Sequence, residues 1–209
     1  LQGHHYGLLP EHAWNYGASY LKVFQIGSIP LNVNLDLFRT SFVNQVVVDW
    51  ETPGQVSFYN LDGDSYANSL QFGLDARLFR MIDARFSCKF YDVQTDYVAA
   101  KKQKPLQPKQ RYFLNLGYVG DQLRADATYH HTGPQRIPVT IQHPNGFESG
   151  AFGLINAQIT YIPKPNFEIY IGGENLTNYK QSQPILSADQ PFSSSFDSSL
   201  VYAPVYGRI

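Results

Sequence analysis

Six histidines, His4, His5, His12, His130, His131 and His143, are the side chains in this sequence best suited to chemistry. Neutral imidazole ligates zinc, copper, nickel and haem iron. His4, His5 and His12 crowd the start of the chain and form a candidate metal set. His130, His131 and His143, with Tyr59 and Tyr97, form a candidate ligand-binding set in which aromatic rings stack on a bound molecule. The plainer reading is that the histidines are solvated loop residues with no joint role. On that reading the loop aromatics Tyr59, Tyr97, Phe147, Tyr179 and Phe192 pack within loops or ring a membrane edge. No nucleophile elbow, phosphate-binding glycine loop or His-Glu-x-x-His is present, so the sequence points to no enzyme and to no cofactor. Asp62-Gly63-Asp64 lacks the ligand spacing of a calcium loop and reads as a turn.

Those residues hang on strands. Periodicity is two nearly everywhere, and helical spacing is nearly absent. Leu31, Val33, Leu35 and Leu37 alternate with Asn32, Asn34, Asp36 and Phe38, and the parity slips near Arg39. A bulge or a strand top rising above a bilayer would each explain the slip. Leu70, Phe72, Leu74, Ala76 and Leu78 oppose Ser69, Gln71, Gly73, Asp75 and Arg77, and similar alternation marks eight long strands. They begin near Ala13, Pro30, Tyr66, Ala84, Tyr112, Leu123, Ile155 and Asn166, the last running over residues 166–176. A ninth strand is expected to begin near Val205. The strands are long beside the usual ~5–6 residues. The connections alternate short and long, with long loops at 51–65, 95–110, 131–149 and 178–200. Every histidine falls at or near the long-loop end.

Composition agrees with this pattern but does not choose among its readings. Charged residues make up 16% of the 209 and aromatics 15%, and the net charge is −1, so no basic field recruits nucleic acid. Cys88 stands alone, which excludes an internal disulfide framework. No apolar run is long enough for a membrane helix, but a spanning strand needs only every second residue apolar. Short turns at one end and long loops at the other are the outer-membrane barrel pattern. A passive eight-stranded, porin-like barrel and a soluble carbohydrate-binding β-sandwich share the alternation.

Particular strings narrow the choice. Gly172-Gly173-Glu174-Asn175-Leu176-Thr177-Asn178-Tyr179 resembles the segment that closes the penultimate barrel strand of TonB-dependent outer-membrane receptors. Pro10-Glu11 with Asn15-Tyr16-Gly17, residues 40–49, residues 58–69 and Pro204-Val205-Tyr206-Gly207-Arg208 are similar to further strings of that family, chiefly its Bacteroidetes-type members. The resemblance implies an all-β antiparallel meander of eight to nine long strands within a barrel of about 22. Residues 1–209 are then one C-terminal barrel segment, incomplete at both ends, with no plug domain. It implies a place in the outer membrane of a Gram-negative bacterium and energised uptake of a scarce ligand: a siderophore, haem, metal chelate, cobalamin or glycan. The implied partners are outer-membrane lipid, the plug domain of the same receptor, TonB through a part not in this sequence, and the cargo. Arg77, Arg85, Lys89, Arg124, Asp75, Asp126 and Glu168 would face the lumen, pairing across strands or holding the plug. Taken alone, the chain is expected to form an open sheet with both outermost strands unpaired.

Overall fold

The computed structural model describes residues 5–61, 63–97, 100–198 and 200–209. The strands are β1 (His12–Ile26), β2 (Ile29–Asp49), β3 (Ser57–Leu61), β4 (Tyr66–Leu78), β5 (Ile82–Asp96), β6 (Lys101–Gln103), β7 (Gln110–Val119), β8 (Leu123–Thr132), β9 (Arg136–Ile137), β10 (Phe147–Glu148), β11 (Phe152–Lys164) and β12 (Phe167–Gly173). Eight of them make one antiparallel meander in the order β1, β2, β4, β5, β7, β8, β11, β12. β3 adds to β2, β6 adds to β5, and β9 pairs with β10 inside a loop. β1 and β12 have no partner on their outer sides among the described residues, so the sheet is open as expected and not a closed eight-stranded barrel.

Register assigns the faces. Leu35, Phe72, Cys88 and Tyr112 lie side by side across four strands, and a second row runs from Val33 through Leu74, Phe86, Leu114 and Tyr129 to Ile155. These rows belong to one oily face. Lys22, opposite Val33, is a charged side chain within the oily rows, and its long stem can carry the ammonium toward water. The other face is polar, with Asn32, Asp75, Arg85, Asn115, Thr128 and Asn156 in one row. The oily side chains are not packed on one another in a dry interior; Leu116, Ile159, Ile169 and Ile171 are exposed. A buried apolar cluster, Ile137, Leu186 and Leu200, lies in the long loops.

The parity slip of β2 has two parts. Register with β4 runs unbroken from Leu31 to Ser41, so Arg39 and Ser41 still point to the oily side and the strand has simply risen past the oily band. Then His12 pairs with Asn44 while Ala13 pairs with Phe42, which leaves Val43 as the extra residue of a bulge. The bulge moves Val46 and Val48 onto the oily phase.

Three sequence expectations change. β3, β6, β9 and β10 occupy stretches expected to be loop, because pairing continues above the oily band: Gln45 to Asp49 of β2 recruits Leu61 to Ser57. The strand expected to reach Leu176 stops at Gly173, because Asn175 takes a positive φ of 50°. No ninth strand forms near Val205. The chain there is held against Asn178, whose Oδ1 accepts from the Arg208 amide at 3.0 Å, and only Ile209 pairs with Glu174, through two backbone bonds. Asp62 lies outside the described residues.

Candidate functional site

The polar face carries cross-strand ion pairs near the short-turn end. Register places Asp75 beside Arg85 and Arg77 beside Asp83, and the pairs close at 2.7 and 2.6 Å. Arg124 meets Glu168 at 3.6 Å. Asn115 Nδ2 donates to Asp126 at 2.7 Å and to Thr128 at 2.9 Å. The charged groups and Asn115 line a hollow of about 750 Å³. All of these groups are solvent-accessible, so the pairs add little to folding. Their consequence is a wet wall of mixed charge.

The long loops build a lid at the other end. Glu51 lies past the end of β2, and its carboxylate takes Lys102 of β6 at 2.5 Å and Arg136 of β9 at the same time. The Glu51 and Arg136 side chains are 14% and 15% exposed. Arg136 also donates to the Gln103 carbonyl at 3.0 Å and sits 5.8 Å over the Tyr97 ring. Burial pushes the Tyr97 phenol up, against the lowering pull of Arg136. Three loops are thus joined at one carboxylate. The last long loop then covers Ile137 with Leu186 and Leu200, with Phe147 and Tyr202 packed alongside.

Buried amides close that loop. Gln181 Oε1 accepts from the amides of Tyr202 and Ala203 at 3.0 and 3.3 Å, and its Nε2 donates to the carbonyls of Leu200 and Gln183 at 2.8 and 3.3 Å. Gln135 Nε2 donates to the Tyr202 carbonyl at 3.2 Å. A buried amide with all its partners supplied fixes one geometry, and without them it would cost about 1–3 kcal/mol.

The turn after β12 joins lid to wall. Asn tolerates the left-handed region that most residues avoid, and its side chain bonds nearby backbone. Asn175 and Asn178 both sit there, at φ 50° and 54°. Asn175 Oδ1 accepts from the Tyr179 amide at 3.0 Å and the Thr177 hydroxyl at 3.0 Å. Its Nδ2 donates to the Tyr179 carbonyl at 2.7 Å and to the Tyr206 carbonyl at 3.3 Å. Tyr179 stacks on Phe152 of β11, centroids 4.9 Å apart and planes 11° from parallel. A Cβ on Gly207 would lie 2.4 Å from Asn178 Oδ1, so that close approach requires glycine.

The nominated site residues fall in different places. His130 points to the polar face, in a row with Ser87, Phe113 and Leu154, its ring 5.2 Å from Phe113. His131 points to the oily face, among Tyr112 at 5.4 Å and Tyr129 at 6.4 Å, with a 3.4 Å contact from Nδ1 to the Tyr129 hydroxyl. His143 lies in the β9–β10 loop against Phe147 at 4.8 Å. His12 is also on the oily side, edge-on to Trp14 at 6.1 Å above the band. His5 is described only by its backbone, at the head of the short 3-10 turn His5–Gly7, and His4 lies outside the described residues. Among the described residues no three His, Cys, Asp or Glu side chains converge as a metal site needs. Tyr59 donates to Asp49 at 2.5 Å, and Tyr97, 5% exposed, is a buried part of the lid. The sequence did not flag Glu51, Arg136, Gln135 or Gln181. Glu51 and Arg136 are 85 residues apart, and no local pattern links them.

The family model for the TonB dependent receptor-like β-barrel matches residues 4–176. The chain belongs to this family. Solved receptors of similar fold include the siderophore receptor PiuA of Acinetobacter baumannii, 16% identical, with TM-score 0.59 over 94% of this chain and 27% of that one. A mutant of the ferric enterobactin receptor PfeA of Pseudomonas aeruginosa, in complex with enterobactin, is 14% identical, with TM-score 0.68 over 97% of this chain and 31% of that one. The ferric-catecholate import receptor Fiu of E. coli K12 is 15% identical, with TM-score 0.64 over 96% and 27%. No curated protein matches. The chain spans under a third of the length of these receptors. Within a TonB-dependent receptor barrel the two faces have definite meanings: oily side chains face lipid, and charged ones face the interior.

Proposed function

We propose that this chain is a C-terminal stretch of wall and extracellular lid in an outer-membrane receptor of about 22 strands, from a Gram-negative bacterium. The complete receptor takes up a scarce ligand, driven by TonB acting on a plug domain that this chain helps to enclose. The observation that carries this reading is the combination on one sheet of an oily outward face, a charged inward face and a lid gathered at a single end. Family membership and the siderophore receptors of like fold support a ferric siderophore or another metal chelate as cargo.

His130 and Phe113, ring against ring on the inward face, are the contacts we assign to the cargo's path. His143, at the lid, and Tyr59, on the β3 extension above the oily band, belong to first capture. His131 and His12 belong to the aromatic rim.

The test is uptake of radiolabelled ferric siderophores, haem and cobalamin by cells carrying the full receptor gene, with and without TonB. Energised accumulation of one ligand class that stops without TonB is the expected result. Accumulation that is equal without TonB would sink the reading and favour a passive pore. A His130→Ala receptor should bind at the surface but take up more slowly.

A further inference from the structure

The oily face ends between two rows. Ala18, Leu37, Leu70 and Phe90 form the last apolar row, and Tyr16, Arg39, Asn68 and Asp92 the first polar one. A groove of about 780 Å³ runs between them, floored by the backbone of Gly17, Phe38, Ser69 and Tyr91. It lies on the oily side, because the inward-facing rows on either side of that floor take no part in it. Its apolar wall continues directly into the lipid-facing band, and strands tilted by roughly 45° slope a cross-strand groove by a similar angle.

Arg39 lines its polar edge, and Lys101 stands beyond that edge, sharing the Tyr66 ring with it; Lys109 also lines the groove but is taken by Glu148 at 2.5 Å. The Arg39 guanidinium carbon lies 4.6 Å from the Tyr66 ring centroid, and Lys101 Nζ lies 5.8 Å from the same ring. Arg39 donates to Ser41 at 3.3 Å and to Asn68 at 3.0 Å. Neither Arg39 nor Lys101 has a carboxylate within 4.0 Å among the described residues. Asp92 borders the patch but is engaged by neutral donors, Gln94 at 2.8 Å and Asn68 at 3.4 Å. Asp96, on the same face, turns toward Gly63. An unpaired guanidinium directly above an apolar groove matches a lipid: acyl chain below, phosphate above.

We propose that this groove seats a phosphate-bearing lipid of the surrounding bilayer, with Arg39 on the phosphate and Lys101 as its second cation. The proposal rests on the membrane reading above. With Asp92 and Asp96 nearby, recognition depends on direct contact with Arg39 and not on net charge.

The experiment uses the complete receptor, purified in detergent, with lipid binding followed by native mass spectrometry. The probes are dioleoylphosphatidylglycerol and a phosphate-free dioleoyl galactolipid. Arg39→Ala should weaken the phosphatidylglycerol adduct by about tenfold and leave the galactolipid adduct unchanged. Asp92→Asn should strengthen the phosphatidylglycerol adduct. Ala18→Phe, which fills the groove, should weaken both. Equal binding of the two lipids by the unaltered receptor, or an Arg39→Ala adduct within twofold of it, would overturn the proposal. Heat-modifiable gel mobility of the same samples reports the barrel separately. If mobility is barrel-like and phosphate selectivity is absent, the groove assignment fails alone; if there is no barrel, the membrane reading fails first.

Discussion

Glu51→Ala tests whether the lid is one body. The substitution removes the carboxylate shared by Lys102 and Arg136. Stripping one partner from a fully buried ion pair costs about 3–5 kcal/mol, because the other charge is stranded. Here the loss is smaller. Lys102 is 40% exposed and can turn to water, and Arg136 keeps the Gln103 carbonyl and the Tyr97 ring. The expected cost is therefore about 2–3 kcal/mol, confined to the lid, which is about 30–150-fold in a local opening equilibrium. Amide hydrogen exchange in the complete receptor reads it directly. The Leu106 amide donates to the Arg136 carbonyl at 2.8 Å, so its exchange should quicken by that factor. The Lys104 amide donates to Val93 of the wall at 2.9 Å and should not change. Asp75→Ala, which breaks an exposed pair on the polar face, should move Leu106 not at all. Unchanged exchange at Leu106 in Glu51→Ala, or an equal effect from Asp75→Ala, would refute the idea that one carboxylate holds three loops.

Three further outcomes are expected. Asn175→Ala should cost the lid about 2–4 kcal/mol, because it strands the Tyr179 amide and puts Ala at a positive φ; limited proteolysis should then cut within residues 174–209, and resistance equal to the unaltered receptor would count against the role. Leu74→Arg on the oily face should block assembly at a cost of about 2–4 kcal/mol, whereas Ser87→Arg on the polar face should be tolerated; a gel assay of barrel assembly separates them. Burial raises the phenols of Tyr97 and Tyr202 above their ordinary value, so both stay protonated in the folded lid when an unfolded loop would ionise. Their contribution is complete below about pH 10 and is lost as pH rises through the folded values, so lid exchange should quicken at alkaline pH, and less so in Tyr97→Phe.

The wall was legible in the sequence because its physics is local. Alternation of period two reports directly which face each residue takes, and Leu70 to Leu78 states the oily face without help from the rest of the chain. The placement of the long loops at one end follows from an antiparallel meander once the turns at 27–28, 79–81 and 120–122 are recognised. The lid was not legible. Its bonds join Glu51 to Arg136, Gln181 to Leu200 and Gln135 to Tyr202, and none of these spans carries a period. Histidine drew attention for its chemistry, yet the fold distributes His12, His130, His131 and His143 over an oily rim, a polar wall and a loop. Side-chain type nominated them, and parity separated them.

The uneven distribution of the core has a physical cause. A wall strand satisfies its backbone through its neighbours and leaves its oily face to lipid, so it needs no apolar packing within the protein. The lid stands in water and must bury something of its own, which it does with Ile137, Leu186 and Leu200. It then needs a fixed tie to the wall, and that tie is the Asn-Leu-Thr-Asn-Tyr turn. The Asn175 amide donates to the Asn156 side chain of β11 at 2.8 Å, Thr177 donates to the Gly153 carbonyl at 2.9 Å, and Tyr179 stacks on Phe152. On the other side Asn175 and Asn178 hold Tyr206 and Arg208. The strings that betray the family are therefore the joint between two solvents, where lipid-facing wall becomes water-facing lid. A ligand that shifts the last long loop must work against this joint, and among the wall strands the strain would reach β11 and β12 first.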